Sequence, residues 1–218
     1  MSDEIRAVVF DFDGVLVNSV ELKNDAMVQA FSNFGDDFAE SVLAYHKKHG
    51  TNRYETAAYV QEELGIEDPD FVNTYAQKYS DIVEEQIVKM PFYHGADSLI
   101  IELAKTMPVF ISTGTPEKEI IQILRRKCSM HLFTDVYGSP DKKEEHFSKI
   151  FDQTKLSPNN ILFIGDMPSD YMVAKNVGVN FLGYNFYNHH LYPEVENIEK
   201  ILEVREYIYK RKQKSRRW

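Results

Sequence analysis

With 218 residues, 43% of them apolar and 13% aromatic, the chain has the core-forming side chains of a folded globular protein, either one large domain or a main domain with an insertion. A formal charge of −9 sets most of the surface against a polyanion, so nucleic acid is not an expected partner. No apolar run approaches the ~20 residues that span a bilayer, and the start "MSDEIRAVVF" lacks the basic opening and long apolar stretch of a signal peptide, so no membrane is expected and the location read is cytoplasmic.

In chain order, the first element is a short buried strand, "AVVF", ending at Asp11. Residues 15–90 then read as helix throughout. "VELKNDAMVQAFSNF", "AESVLAYHKKH", "RYETAAYVQEELG" and "DFVNTYAQKYSDIVEEQIVKM" carry helical apolar spacing, with turns at Gly35, Gly50, Gly65 and Pro69. After "MPFYHGA" (90–96), strand-length apolar runs alternate with helical patterns. "PVFIS" (108–112) precedes "PEKEIIQILRRKC", and "DVYGS" (135–139) precedes "KKEEHFSKIFDQT". "NILFIGD" (160–166) precedes "PSDYMVAKNVG", and "VNFLGY" (179–184) precedes a charged helix expected from about Pro193. Runs such as "ILFI" lack alternation, as parallel strands covered on both faces do. The expectation is an α/β fold. Residues 1–14 and 91–218 form a doubly wound parallel sheet, 15–90 an inserted all-helical domain, and 210–218 a frayed basic tail. Cys128 is the one cysteine, so no disulfide forms within the chain; it reads as a small buried residue of a protein in a reducing compartment.

In an open α/β sheet, ligands sit beyond the carboxyl ends of the strands, and four strand ends here carry chemically capable residues. The first is Asp11-Phe12-Asp13-Gly14. Alternate strand residues share a face, so both carboxylates can enter one site while Phe12 packs away, and Gly14 lets the chain turn sharply. Like charges so close need a positive partner. The second is "ISTGTPEKEI", where Thr113 ends a strand, Thr115 suits a helix N-cap and Pro116 the first helical turn, a seat for phosphate. The third is "GSPDKKEEH": Lys142 and Lys143 stand at a helix start, the unfavourable end for a cation unless it faces an anion. The fourth is "FIGDMPSD", with Asp166 at a strand end and Asp170 in the first turn of a helix opened by Pro168. Carboxylates, hydroxyls and one ammonium around a point suit Mg²⁺ together with a phosphate.

In "DFDGV" (11–15), "STGT" (112–115), a lysine of "DKKEEH" (141–146) and "GDMPSD" (165–170), taken in this order, the chain resembles the haloacid dehalogenase-like hydrolases, in particular their phosphatases with a helical cap inserted after the first strand. The resemblance covers all but the basic tail. It implies a Rossmann-like core and an Mg²⁺-dependent phosphatase that acts on a small phosphorylated metabolite, such as a sugar phosphate, through an aspartyl-phosphate. Asp11 would be the nucleophile, and Asp13 the acid that protonates the leaving oxygen and then the base that takes a proton from water. Thr113, Gly114 and one lysine would hold the phosphoryl group. That lysine is Lys143, by its match to a Lys-x-Glu-His run, with Lys142 as the alternate. Asp11, Asp166 and the backbone carbonyl of Asp13 would bind the metal, with Asp170 in support. Asn18 stands where relatives often carry aspartate. An acid at position 13 argues for phosphate esters over a halide, which departs without a proton.

In capped relatives, a loop such as "HKKHGTNRYE" (46–55) selects the substrate; Arg53, whose fork suits carboxylate or phosphate, is the residue singled out, while Tyr54 is expected to pack inside the helical domain. The alternative enzyme reading is a phosphomutase of the β-phosphoglucomutase type, which uses the same residues with water excluded. A non-catalytic phosphoryl-binding switch is a more distant one. No sequence feature sets an oligomeric state, and a monomer is the expectation.

Overall fold

The computed structural model describes residues 4–49 and 51–215, the side chains of 214 and 215 excepted. The chain divides into two compact units, Met1–Asn18 with Met90–Trp218, and Ser19–Lys89. The first boundary falls after Asn18 and not after Gly14. Val15, Leu16 and Val17 are fully buried, and the chain closes on itself there, with Leu16 N–H donating to the Phe12 carbonyl at 2.9 Å.

The larger unit is a six-stranded sheet in the order β3-β2-β1-β4-β5-β6, with every pairing parallel. Its strands are β1 (Ala7–Phe10), β2 (Val109–Pro116), β3 (Asp135–Ser139), β4 (Ile161–Gly165), β5 (Asn180–Tyr184) and β6 (Asn197–Ile198). Among the described residues the α-helices that accompany them are α5 (Ala96–Ala104), α6 (Glu117–Arg126), α7 (Lys143–Thr154), α8 (Pro168–Val177) and α9 (Val204–Ser215), numbered after those of the smaller unit. β1 is buried at every position, as the apolar run "AVVF" requires of a central strand. On one side of the sheet Val9, Phe110 and Phe163 pack with Phe147 and Ile150 of α7, the Phe147 and Phe163 rings meeting edge to face at 5.2 Å. Burial of such side chains stabilises by roughly 1.5–3 kcal/mol each. Phe10 pairs with Ile111 on one flank and Ile164 on the other, so β1, β2 and β4 reach the carboxyl rim level with one another. That register decides what meets at the rim.

Three expectations on this unit are corrected. β2 runs on through Pro116, with a break in its pairing to β3 between Ser112 and Pro116, so Thr115 is strand and not a helix cap. The charged helix expected from about Pro193 begins at Val204. The preceding chain instead lies along β5, where Gly183 N–H donates to Glu196 O and Asn185 N–H to Ile198 O, both at 2.9 Å. Cys128 is exposed, because it takes the left-handed conformation (φ 53°) that ends the turn after α6. The basic tail is helical as far as Ser215, and Arg216–Trp218 lie outside the described residues.

The smaller unit is helical, as its apolar spacing predicts: α1 (Val20–Phe31), α2 (Asp36–His49), α3 (Arg53–Glu63) and α4 (Phe71–Lys89). A capping box starts α3: the Asn52 side chain accepts from Tyr54 N–H and Glu55 N–H, while the Glu55 carboxylate accepts from Asn52 N–H at 2.8 Å. Phe31, Phe34, Phe71 and Tyr75 build an aromatic cluster in which Phe31 and Phe71 are buried and Phe34 and Tyr75 half-buried. Tyr54 is 51% exposed, contrary to the expectation that it packs inside.

Candidate active site

The level ends of β1, β2 and β4 bring together residues far apart in sequence. Asp11 is the first residue past β1, with its backbone N–H bonded to Ile164 O at 2.9 Å and its Oδ1 accepting from Phe12 N–H at 2.7 Å. Lys143, the first residue of α7, donates to Asp11 Oδ2 at 2.8 Å and to Asp170 Oδ1 at 2.6 Å. Lys142, one residue earlier, is exposed at the N-cap position. Of the two lysines, Lys143 is therefore the one at the carboxylates.

Asp170 is held twice. Its Oδ2 also accepts from Met167 N–H at 3.2 Å, at the N-cap just before Pro168 begins α8. Asp166 approaches so closely to Gly14 that a Cβ there would stand 2.2 Å from Asp166 Oδ2. One carboxylate oxygen each from Asp11, Asp166 and Asp170 lie within 4.8 Å of one another.

Electrostatics define what this cluster lacks. Burial, then the charges of Asp170 and Asp13, push Asp11 up to about 7 despite the opposing pull of Lys143. Burial, then Asp11 and Asp170, push Asp166 up to about 8. For Lys143, burial lowers the pKa, but attraction to Asp11 and Asp170 outweighs it and holds the ammonium above the usual lysine range. Three carboxylates thus face one ammonium, and Asp166 Oδ1 is buried with no hydrogen-bond partner. An orphaned buried carboxylate oxygen is costly unless a cation meets it. A hard divalent ion with oxygen ligands fits this carboxylate cluster, which Asp11, Asp166 and Asp170 could hold between them.

The neighbouring strand supplies hydroxyls. Thr113 and Thr115 are buried, and both face Asp13: Thr115 Oγ1 donates to Asp13 Oδ2 at 2.8 Å, and Thr113 Oγ1 lies 3.5 Å from the same oxygen. Gly114 between them is exposed, with open space where a Cβ would stand. Beneath them His146 is fully buried, with Nδ1 2.9 Å from Ser112 Oγ and Nε2 3.1 Å from Gly138 O. The carbonyl only accepts, so Nε2 carries the proton and Nδ1 accepts from Ser112. His146 thereby ties α7, which carries Lys143, to β2, which carries Thr113. Burial lowers its pKa.

Sequence reasoning singled out Asp11, Asp13, Thr113, Lys143, Asp166 and Asp170, and the structure brings these together in the larger unit. Thr115, as a partner of Asp13, and His146 were missed. The His in "KEEH" was the available signal for the second; nothing local marked the first. Arg53 belongs to the helical unit, where its guanidinium bonds Ser80 Oγ and lies 4.9 Å from the centre of the Tyr79 ring. Of the neighbouring stretch 46–55, Gly50 lies outside the described residues, and His46 Nδ1 lies 3.2 Å from Thr56 Oγ1.

The aspartate–lysine–aspartate cluster stands at the carboxyl rim of a parallel sheet, where open α/β folds place their ligands. The chain belongs to the haloacid dehalogenase-like hydrolase family, whose model matches residues 8–184, and is an enzyme of that hydrolase class. It is 25% identical over 214 residues to a phosphoglycolate phosphatase of Shigella boydii serotype 4 (strain Sb227), which spans 86% of this chain and 84% of the relative. Its fold is that of a β-phosphoglucomutase from Clostridium difficile (TM-score 0.74, 17% identity, 96% of this chain and 98% of the other). It is likewise that of YfnB from Bacillus subtilis, whose structure is bound to magnesium (TM-score 0.69, 19% identity, 94% of this chain and 99% of the other). Among the described residues no helix is long and apolar enough to cross a membrane.

Proposed function

We propose that this enzyme is a cytoplasmic phosphatase that hydrolyses a small phosphorylated metabolite by way of a phosphoryl group carried on Asp11. The observation that carries the reading is the contact of Asp11 with Lys143 beside the orphaned oxygen of Asp166. Asp11 attacks phosphorus through a carboxylate oxygen while the bond to the leaving oxygen breaks. Asp13 gives that oxygen its proton, then takes one from the water that attacks the phosphorylated Asp11, which returns to its carboxylate as phosphate leaves. Lys143, Thr113 and the Gly114 backbone hold the phosphoryl oxygens. Asp11, Asp166 and the Asp13 carbonyl, with Asp170, would hold Mg²⁺. When bound, this ion supplies the positive charge that keeps the carboxylates ionised and offsets that on phosphate.

Arg53 is the proposed selector of a second anionic group, on the chemistry of its fork. The relatives named as phosphoglycolate phosphatase support a small anionic substrate of this kind.

The test is turnover of 4-nitrophenyl phosphate and of a panel of phosphorylated metabolites with Mg²⁺ or with EDTA. Turnover that chelator abolishes, and that Asp11→Asn lowers by roughly 10³-fold or more, is expected. Undiminished Asp11→Asn activity removes the nucleophile and with it the reading. An isomeric phosphate formed faster than free phosphate would replace hydrolysis by a mutase reaction. A metabolite preference unchanged in Arg53→Ala would remove Arg53 alone.

A further inference from the structure

We propose that Thr115 is a positioning residue for Asp13, holding its carboxyl in the orientation that delivers a proton to the leaving oxygen; the inference rests on the phosphatase reading above. Its hydroxyl donates to Asp13 Oδ2 at 2.8 Å, whereas Thr113 reaches the same oxygen only at 3.5 Å. Thr113 Oγ1 also accepts from Thr115 N–H at 3.2 Å, and its own long contact with Asp13 leaves its proton available to a phosphoryl oxygen in the proposed reaction. The two hydroxyls thus divide the work: Thr113 for the phosphate, Thr115 for the acid.

The backbone is built for this arrangement. β2 pairs with β3 at Ser112↔Tyr137 and again at Pro116↔Ser139, and its register shifts in between. Such an irregularity re-aims side chains beside active sites. It lets the Thr115 carbonyl pass so near Gly138 of β3 that a Cβ on Gly138 would stand 2.4 Å from it and 2.6 Å from Glu117 N. Gly138 in turn is held by His146 through its carbonyl. The position of Thr115 is therefore fixed from behind, and with 3% exposure its hydroxyl has little water to bond instead.

The chemical consequence follows from the two oxygens of a carboxylic acid. With Oδ2 accepting from Thr115, it plays the carbonyl oxygen, and the transferable proton resides on Oδ1. As an Asp11 oxygen bonds to phosphorus, the bond between phosphorus and the leaving oxygen breaks and this proton moves to the departing oxygen, leaving Asp13 as the anion that Thr115 still bonds. Water's proton returns to Oδ1 in the second half, and the cycle closes. Loss of the hydroxyl removes the short contact that orients Oδ2, so the step expected to suffer is protonation of the leaving group.

An alkoxide needs that proton, whereas 4-nitrophenolate departs as the anion. The test therefore compares kcat/KM, which reports the first phosphoryl transfer, for an alkyl phosphate and for 4-nitrophenyl phosphate. Thr115→Val is expected to lose at least about tenfold more on the alkyl ester than on the aryl ester, a part of the 10²–10⁴-fold that a positioned acid supplies. Asp13→Asn should show the same split, larger, and Thr115→Ser should restore the wild-type ratio. Equal losses on both esters, or a serine variant as split as the valine one, would overturn the proposal. Should Thr115→Val fail to fold, Thr115→Ala carries the same expectation. A wild-type chain inert towards both esters would instead sink the phosphatase reading. A split in Asp13→Asn without one at Thr115 would leave that reading standing and remove this inference alone.

Discussion

Lys143 Nζ and Asp11 Oδ2 lie 2.8 Å apart across 132 residues of sequence. The contact exists because α7 opens with a lysine against its own dipole, and what compensates is the pair of carboxylates, Asp11 and Asp170, that it meets.

Removing this ammonium therefore has two effects. Lys143→Ala leaves two buried carboxylates without their partner, which costs on the order of 3 kcal/mol in a buried pair, or about 6–12 °C in Tm for a chain of this size. It also strips charge from the phosphoryl site, for which kcat/KM is expected to fall by roughly 10²-fold or more. Lys143→Arg should recover stability better than rate, because a planar fork does not reproduce two short contacts to a point charge. Thermal melts and aryl phosphate kinetics check both; a Lys143→Ala chain with wild-type rate rejects the role given to the ammonium.

The raised carboxylates make metal-free stability fall as pH rises. Asp11 and Asp166 move from 3.8 to about 7 and about 8 in the folded chain. Near pH 4 and below, folded and unfolded chains hold these protons alike. Between pH 4 and 8 the folded chain keeps protons that the unfolded chain has released, so each pH step favours unfolding, and above about pH 8 the penalty is complete. Lys143 stays charged across this window and adds no slope. In EDTA, Tm is expected to drop by several degrees between pH 5.5 and 8.5, and Mg²⁺ should raise it more at the upper pH. Asp166→Asn should flatten the metal-free slope and raise Tm at pH 8.5. A variant with the wild-type slope would show that Asp166 does not carry it.

Most of the rim was legible because its residues end strands or begin helices, where composition changes abruptly. Asp11 and Asp166 each follow an unbroken apolar run, and Asp170 and Lys143 stand at helix starts. The parallel register then makes ends of strands into neighbours without further information. Thr115 was not legible: Pro116 beside it reads as a helix start, and the strand continues only because Gly138, on another strand, makes room for its backbone. β6 was missed because two residues carry no periodicity, and the pairing that defines it comes from β5. For Arg53 the chemistry was legible but the partners were not, since Ser80 and Tyr79 come from α4, a turn and a helix away.

Gly14 makes the sharpest stability test of the site. Its φ of +77° is one that L side chains rarely adopt, and a Cβ would lie 2.2 Å from Asp166 Oδ2 and 2.8 Å from Asp166 Cγ. Gly14→Ala therefore combines backbone strain of roughly 1–2 kcal/mol with eviction of Asp166 from its place beside Asp11. The expected outcome is a Tm lowered by several degrees and a Mg²⁺-induced rise in Tm that is lost or much reduced. Gly114→Ala is the matched comparison, since nothing lies within 4 Å of its Cβ and its backbone is unstrained. That variant should melt within about 1–2 °C of wild type, as surface substitutions do. A Gly14→Ala chain that keeps both its Tm and its Mg²⁺ response would mean that Asp166 can retreat at no cost, and the tight approach of these two residues would then have no part in building the site.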